Sequence, residues 1–207
     1  MTSPLPRLPD DGADERLRRQ MYFIVEMDRL KTILRTALTE RGTRRENDAE
    51  HSWHVALMAS TLAEYSDRKI DVDRVVRMLL VHDLVEIDAG DVMIYDEATR
   101  RAQRARELVA AERIFNLLPA DQAAELRGLW DEFEALESAE ALYAKALDRL
   151  QPLLLNYISR GAAWREHGVT AAQVRRINSS IADASPRLWD FASCLIEDAV
   201  KRGWLPE

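Results

Sequence analysis

Hydrophobic positions recur along this chain at intervals of three and four residues, the spacing that lines one face of an α-helix. Between residues 15 and 38 the series is Met21, Ile24, Val25, Met27, Leu30, Ile33, Leu34 and Leu38, which predicts an amphipathic helix. The polar stretch TERGTRREND breaks the pattern at Gly42. A second helix is predicted over 47–66, with Val55, Met58, Ala59, Leu62 and Ala63 inward. Asp71 is placed to cap a third helix running through Val85, because DVDR leads directly into VVRMLLVHDLV. Its MLLV segment is apolar all round and is expected to be deeply buried. After a turn at Gly90, two charged helices are predicted at 97–117 and 120–136, with Pro119 suited to a first helical turn. Ser138 caps a helix carrying Leu142, Ala146, Leu147, Leu150, Leu153, Leu154 and Ile158. Thr170 opens a short helix, and Ser185-Pro186 opens the last, which ends near Lys201. No alternating strand is predicted. The expected fold is all-α, a single globular helical bundle.

At 207 residues the chain is long enough for one domain with a substantial core. Three of its seven prolines lie in the first nine residues, so 1–12 is expected to be a loose arm preceding one domain over 13–207. Hydrophobic residues make up 47% and charged residues 31%, the balance of a soluble globular protein. No apolar run approaches a membrane span, and the N-terminus lacks a signal-peptide core, so a cytoplasmic location is expected. The single cysteine, Cys194 in FASCLIE, excludes an internal disulfide and reads as a small buried hydrophobe. A net charge of −7 argues against a broad nucleic-acid-binding surface. It leaves room for a small phosphorylated substrate, because Arg35, Arg41, Arg44 and Arg45 can form a local positive cluster whose planar forks match phosphate.

The candidate chemistry centres on His51, His82, Asp83 and Asp148. His82 and Asp83 interrupt the apolar run RMLLVHDLV, and a buried carboxylate beside a buried imidazole needs a partner. A metal ion satisfies both; so does an internal hydrogen-bonded pair. His51, in EHSWH, is either a ligand or a capping or surface residue, with His54 three positions on. Asp148, in AKALDRLQPLLL, borders the core and either joins the site or pairs with Lys145. Together the four make a mixed nitrogen/oxygen set suited to a divalent transition metal such as Mn, Fe, Co, Ni or Zn. Glu86 is spaced to exchange a proton beside such a centre, and Asp91 follows the Gly90 turn, where the chain can fold back; Asp88 competes for that role.

The ordered set H…HD…D, carried by ENDAEHSWHVALMA (46–59), MLLVHDLVEIDAGD (78–91) and SAEALYAKALDRLQP (138–152), resembles the HD-domain metal-dependent phosphohydrolases. The resemblance is closer to the branch containing bacterial 5′-deoxynucleotidases and the HD-domain-containing protein 2 group. It implies an HD-type domain over 13–207 with His51, His82, Asp83 and Asp148 as ligands of one divalent metal ion. Glu86 then matches the catalytic acid and Asp91 the acid that positions the attacking water. His54 falls outside the ligand pattern as a supporting residue, and His167 as a surface one. The implied reaction converts a nucleoside 5′-monophosphate to nucleoside and phosphate, and the implied assembly is a homodimer. Phosphate binding is expected from Arg35 first and Arg45 second. The Arg-Trp pair of deoxynucleotidases is missing from residues 15–50, which bears on sugar preference. The alternatives are another phosphate ester, such as a triphosphate or pyrophosphorylated nucleotide, or a non-catalytic regulatory module that keeps the metal for stability.

Overall fold

The computed structural model describes residue 12 and residues 14–39, 42–92 and 97–207, with the side chains of 97–101 left out. The arm expected over 1–12 (Gly12 excepted) and Arg41 lie outside the described residues. Ten α-helices are described: α1 (Glu15–Met27), α2 (Asp48–Leu62), α3 (Val72–Val81), α4 (Glu86–Ala89), α5 (Glu97–Phe115), α6 (Ala120–Ala135), α7 (Ala139–Ile158), α8 (Ala162–Glu166), α9 (Ala171–Asn178) and α10 (Pro186–Lys201). The all-α class stands. The helix starts follow local chemistry: Asn47 and Thr170 close reciprocal capping boxes with Glu50 and Gln173. Asp71, Ser138 and Ser185 each accept a backbone N–H in the first turn of α3, α7 and α10.

Two segments depart from the sequence expectation. The helix expected over 15–38 ends at Met27, passes through a 3-10 turn (Asp28–Thr32), and becomes strand β1 (Leu34–Thr39). Strand β1 pairs antiparallel with β2 (Arg44–Asn47), in register Leu34↔Asn47 and Leu38↔Arg45, with an irregularity between them. Gly42, at φ +95°, makes the reversal that L-residues disfavour. The four-residue spacing of Leu34 and Leu38 mimics a helix, but Thr36 and Thr39 suit an extended chain, and pairing with β2 settles the choice. In α1, Phe23 and Glu26 turn inward, while Met21 and Ile24 stay exposed.

The helix expected from Asp71 through Val85 stops at Val81. Residues 82–85 tighten into turns whose N–H groups reach back three residues: Leu84 to Val81 (3.2 Å) and Glu86 to Asp83 (3.0 Å). Helix α4 then adds one helical turn, closed at Gly90.

The buried side chains form two clusters. The larger joins α2, α3, α7, α9 and α10 through Val55, Met78, Leu147, Val174 and Ile196; the smaller joins α1, α4, α5 and α6 through Phe23, Ile87, Ile114 and Trp130. Helices α3 and α6 contribute to both. Trp130 and Trp164 are core residues, and Trp189 and Trp204 pack partly against the larger cluster. Cys194 is exposed, contrary to expectation: α10 turns Leu188, Ala192, Ile196 and Ala199 inward, and Cys194 falls on the opposite face. Among the described residues no helix is long and apolar enough to cross a membrane.

Candidate metal centre and active-site cleft

Three elements bring the candidate ligands together. Helix α2 supplies His51 from its first turns, the turn after α3 supplies His82 and Asp83, and α7 supplies Asp148 from its middle. One ligand atom from each of His51, His82 and Asp83 lies within 4.8 Å of the others. Asp148 Oδ1 lies 3.0 Å from His51 Nε2 and 3.7 Å from His82 Nε2. His82 and Asp83 are adjacent in the turn after α3, and the reach of the two side chains brings His82 Nε2 and Asp83 Oδ1 to 3.2 Å.

The hydrogen bonds behind the imidazoles fix their tautomers. His82 Nδ1 lies 2.7 Å from the Leu79 carbonyl, which can only accept, so the proton sits on Nδ1. His51 Nδ1 lies 3.0 Å from Gln151 Oε1. The Gln151 amide is oriented by donation to Glu46 Oε1 at 2.7 Å, so its oxygen is the atom left to accept from His51. Both rings therefore aim Nε2 at one point faced by two carboxylates, which favour a proton there, and a divalent cation would take that proton's place. His82 Nε2 is buried and has no hydrogen-bond partner. Such a donor set fits a divalent cation. Burial acts to lower the pKa of both imidazoles, but Asp148 and Asp83 outweigh it and hold both above the ordinary value, His82 at about 10. Burial works to raise Asp83 and Asp148; the imidazoles, with Arg35 beside Asp83 and Lys145 beside Asp148, hold both below the usual carboxylate range.

Arg35, on β1, lies within this carboxylate cluster. Its Nη1 is 2.7 Å from Asp83 Oδ2 and 2.9 Å from Asp48 Oδ1, and Asp91 Oδ1 is 3.9 Å away. Arg45 is placed elsewhere: it pairs with Glu166 of α8 at 2.9 Å and is not among the residues lining the cleft. Arg44 pairs with Glu50 at 2.8 Å. Lys145 Nζ meets Asp148 Oδ2 at 2.9 Å, so Asp148 both joins the cluster and pairs with Lys145.

An open cleft of ≈ 310 Å³ lies over the cluster, lined by Arg35, His82, Asp83, Glu86, Asp91 and Asp148 among others. Burial pushes the Glu86 carboxyl up to about 10, and the charges of Asp83, Asp91 and Glu107 add to it. Burial also raises Asp91, opposed by Arg35, leaving it at about 6. Of these two carboxyls, Glu86 is therefore protonated and Asp91 largely ionised at neutral pH. Asp88 faces away from the cleft and pairs with Arg113. Within the charged segment, residues 102–137 pack on the core through Ala110, Ile114 and Trp130 and also wall the cleft with Gln103, Arg104, Glu107, Phe133 and Glu134.

The HD domain family pattern matches residues 27–189. The chain belongs to the HD-domain family. Human 5′-deoxynucleotidase HDDC2 is 35% identical over 138 residues, 66% of each chain, so the match spans about two thirds of that relative. The 5′-deoxynucleotidase yfbR of Photorhabdus temperata is 30% identical over 62% of this chain and 74% of its own length. A solved structure from Magnetospirillum magnetotacticum, described as a predicted metal-dependent phosphohydrolase, is 53% identical with a TM-score of 0.88, covering 94% of this chain and all of that one. A conserved protein from Pyrococcus furiosus shares the fold (TM-score 0.60, 20% identity).

Within this HD domain, Glu46, Asp48, Gln151, Gln103 and Lys145 surround the predicted residues and were not singled out as site residues from sequence. Gln151 carried a usable signal, since it interrupts the apolar run LDRLQPLLL as His82-Asp83 interrupts theirs. Glu46 and Asp48 sit in a polar stretch where burial leaves no mark in the sequence. His54 Nδ1 lies 3.1 Å from Gln151 Nε2 and thus supports the residue that holds His51; His167 is exposed.

Proposed function

We propose that this chain is a metal-dependent phosphomonoesterase that hydrolyses nucleoside 5′-monophosphates, deoxynucleotides included, to nucleoside and phosphate. The observation that carries the reading is the convergence of two tautomer-fixed imidazoles and two carboxylates at the floor of an open cleft that also holds Glu86 and Asp91. His51, His82, Asp83 and Asp148 would hold one divalent ion. Such an ion supplies positive charge that acidifies a nearby water and offsets charge developing on phosphate.

The chain's own residues do the rest. Asp91, largely ionised at neutral pH, takes a proton from the attacking water as its oxygen bonds to phosphorus. Glu86, protonated in the same range, gives its proton to the 5′-oxygen as the bond from phosphorus to that oxygen breaks. One water is consumed, and alcohol and phosphate leave. Arg35, inside the carboxylate cluster and on the cleft wall, presents positive charge toward the phosphate. Lys145 and Arg149 extend that wall along α7. The chain's work as a homodimer in the cytoplasm, without nucleic acid as partner, belongs to the same proposal; the apolar side chains exposed on α1 and α2 (Leu17, Met21, Ile24, Trp53, Leu57) support an interface, and light scattering tests it.

Phosphate release is measured from a panel of nucleoside mono- and triphosphates, with metal-stripped protein resupplied with single divalent ions. Metal-dependent release from monophosphates is expected. Glu86→Ala and Asp91→Ala should each abolish turnover with metal content largely unchanged; turnover near wild type in both would sink the assignment. Release only from triphosphates would move the substrate.

A further inference from the structure

Gln103, on α5, lies 17 positions from Glu86 in sequence and is buried against it, with only 2% of its surface exposed. Its Nε2 carries two hydrogens, and both are used. One goes to Glu86 Oε2 at 3.0 Å, the other to the Gly90 carbonyl at 2.6 Å. Its Oε1 accepts from Arg106 Nη2, one turn along α5. The amide cannot flip without cost. A flipped amide sets its oxygen against the Gly90 carbonyl oxygen and its NH2 against the Arg106 guanidinium, so two attractive contacts become repulsive. Gly90, at φ +76°, is the reversal that turns the chain from α4 toward Asp91. One side chain outside α4 thus holds the carboxyl of Glu86 and the backbone immediately before Asp91.

We propose that Gln103 is a positioning residue for proton transfer to the leaving group. Because Oε2 of Glu86 accepts from the Gln103 amide, a proton on that carboxyl resides on Oε1, the better donor position. Gln103 selects the oxygen that delivers the proton, and through Gly90 it sets the distance between Glu86 and Asp91. This inference rests on the phosphomonoesterase reading above, and it gives α5 a part in the chemistry beyond walling the cleft.

Two phosphate esters separate positioning from packing. The nucleoside of a 5′-monophosphate leaves as a basic alkoxide and needs the proton; the nitrophenol of p-nitrophenyl phosphate leaves as a weakly basic phenoxide and does not. Gln103→Met keeps length and removes both donors. Gln103→Glu keeps shape and sets an acceptor oxygen against Gly90. Since general acid–base catalysis contributes roughly 10²–10⁴-fold, kcat on the nucleotide should fall about 10–100-fold in both variants, with KM and metal content little changed. On the aryl ester the fall should stay within about 3-fold. Arg106 is exposed, so Arg106→Ala folds even if the Gln103 variants do not, and it should show a smaller loss of the same selectivity. Equal losses on both esters, or no loss on the nucleotide, would overturn the inference. Glu86→Gln serves as reference: if it too loses both esters equally, the acid role fails first. If wild-type protein releases phosphate from neither ester, both readings fall together.

Discussion

Arg35→Met tests whether the guanidinium holds the carboxylate cluster together. The side chain is almost wholly enclosed, and Nη1 alone lies 2.7 Å from Asp83, 2.9 Å from Asp48 and 3.9 Å from Asp91. Burial by itself would lower the Arg35 pKa; Asp83, Asp91 and Asp48 outweigh it and hold the charge firmly in place. Methionine fills a similar volume with no charge, so the substitution leaves neighbouring carboxylates buried without their cation. Removing one partner of a buried pair costs about 3–5 kcal/mol. In a chain of this length each kcal/mol moves the midpoint by ~2–4 °C, which gives a fall of ~6–20 °C. The orphaned carboxyls can limit the loss by taking up protons. Asp48 is raised to about 7, by burial first and Asp83 next, and Asp91 to about 6. The loss should therefore be larger at pH 8, where both must stay charged, than at pH 6. A divalent ion supplies a second cation and should shrink it further. Thermal unfolding followed by circular dichroism, in chelator and in divalent metal at both pH values, reads all three comparisons. A fall under ~2 °C at pH 8 in chelator, below what 1 kcal/mol moves, would refute the reasoning, and so would a larger loss at pH 6.

Four further expectations follow from named contacts. The pH–rate profile should rise as Asp91 ionises near 6 and fall as Glu86 ionises toward 10, with a bound ion drawing both limbs to lower pH; a profile that is highest below pH 5 contradicts the assignment of base and acid. In metal-free protein the folded state keeps the Glu86 proton to about 10 while the unfolded chain releases it near 4.5, so that contribution is complete below 4.5 and is lost as pH rises through the folded value. His82 acts with the same sign between 6.5 and about 10. Glu86→Gln removes the first of these, and its stability in urea relative to wild type should improve by roughly 2–4 kcal/mol between pH 5.5 and 8.5, at 1.36 kcal/mol per pKa unit; an unchanged difference would count against it. Gln151→Met deletes the acceptor for His51 Nδ1–H and should weaken metal binding about 10–100-fold in a chelator competition, whereas unchanged affinity would leave that hydrogen bond without influence on the site. Arg45→Ala breaks a partly exposed pair with Glu166 outside the cleft, so it should cost no more than ~1 kcal/mol and leave kcat and KM near wild type; a large rise in KM would bring Arg45 back to the phosphate.

The helical class, most helix starts and the His82-Asp83 doublet were legible in the chain because each is written locally, whereas His51 and Asp148 were assigned as ligands only through the family resemblance. A serine, threonine, aspartate or asparagine at a cap bonds within three residues, and an apolar period shows in any window of a dozen. The doublet His82-Asp83 stood out because polar residues in an apolar run demand a partner. What depends on distant chain could not be read this way. Leu34 and Leu38 carry a helical spacing, and only pairing with Arg44–Asn47 makes that segment a strand, which in turn delivers Arg35 to the carboxylates. The tightening after Val81 rests on backbone hydrogen bonds reaching back three residues, which nothing in the apolar run VVRMLLVHDLV marks. Glu46 and Gln103 look like ordinary surface residues until packing encloses them beside His51 and Glu86. The sequence by itself determined which side chains could hold a metal and where the helices begin, because those are properties of residue type and near neighbours. The tertiary structure alone decided tautomer, protonation and aim, because those are set by the dielectric and the hydrogen-bond partners that residues many positions apart supply to one another.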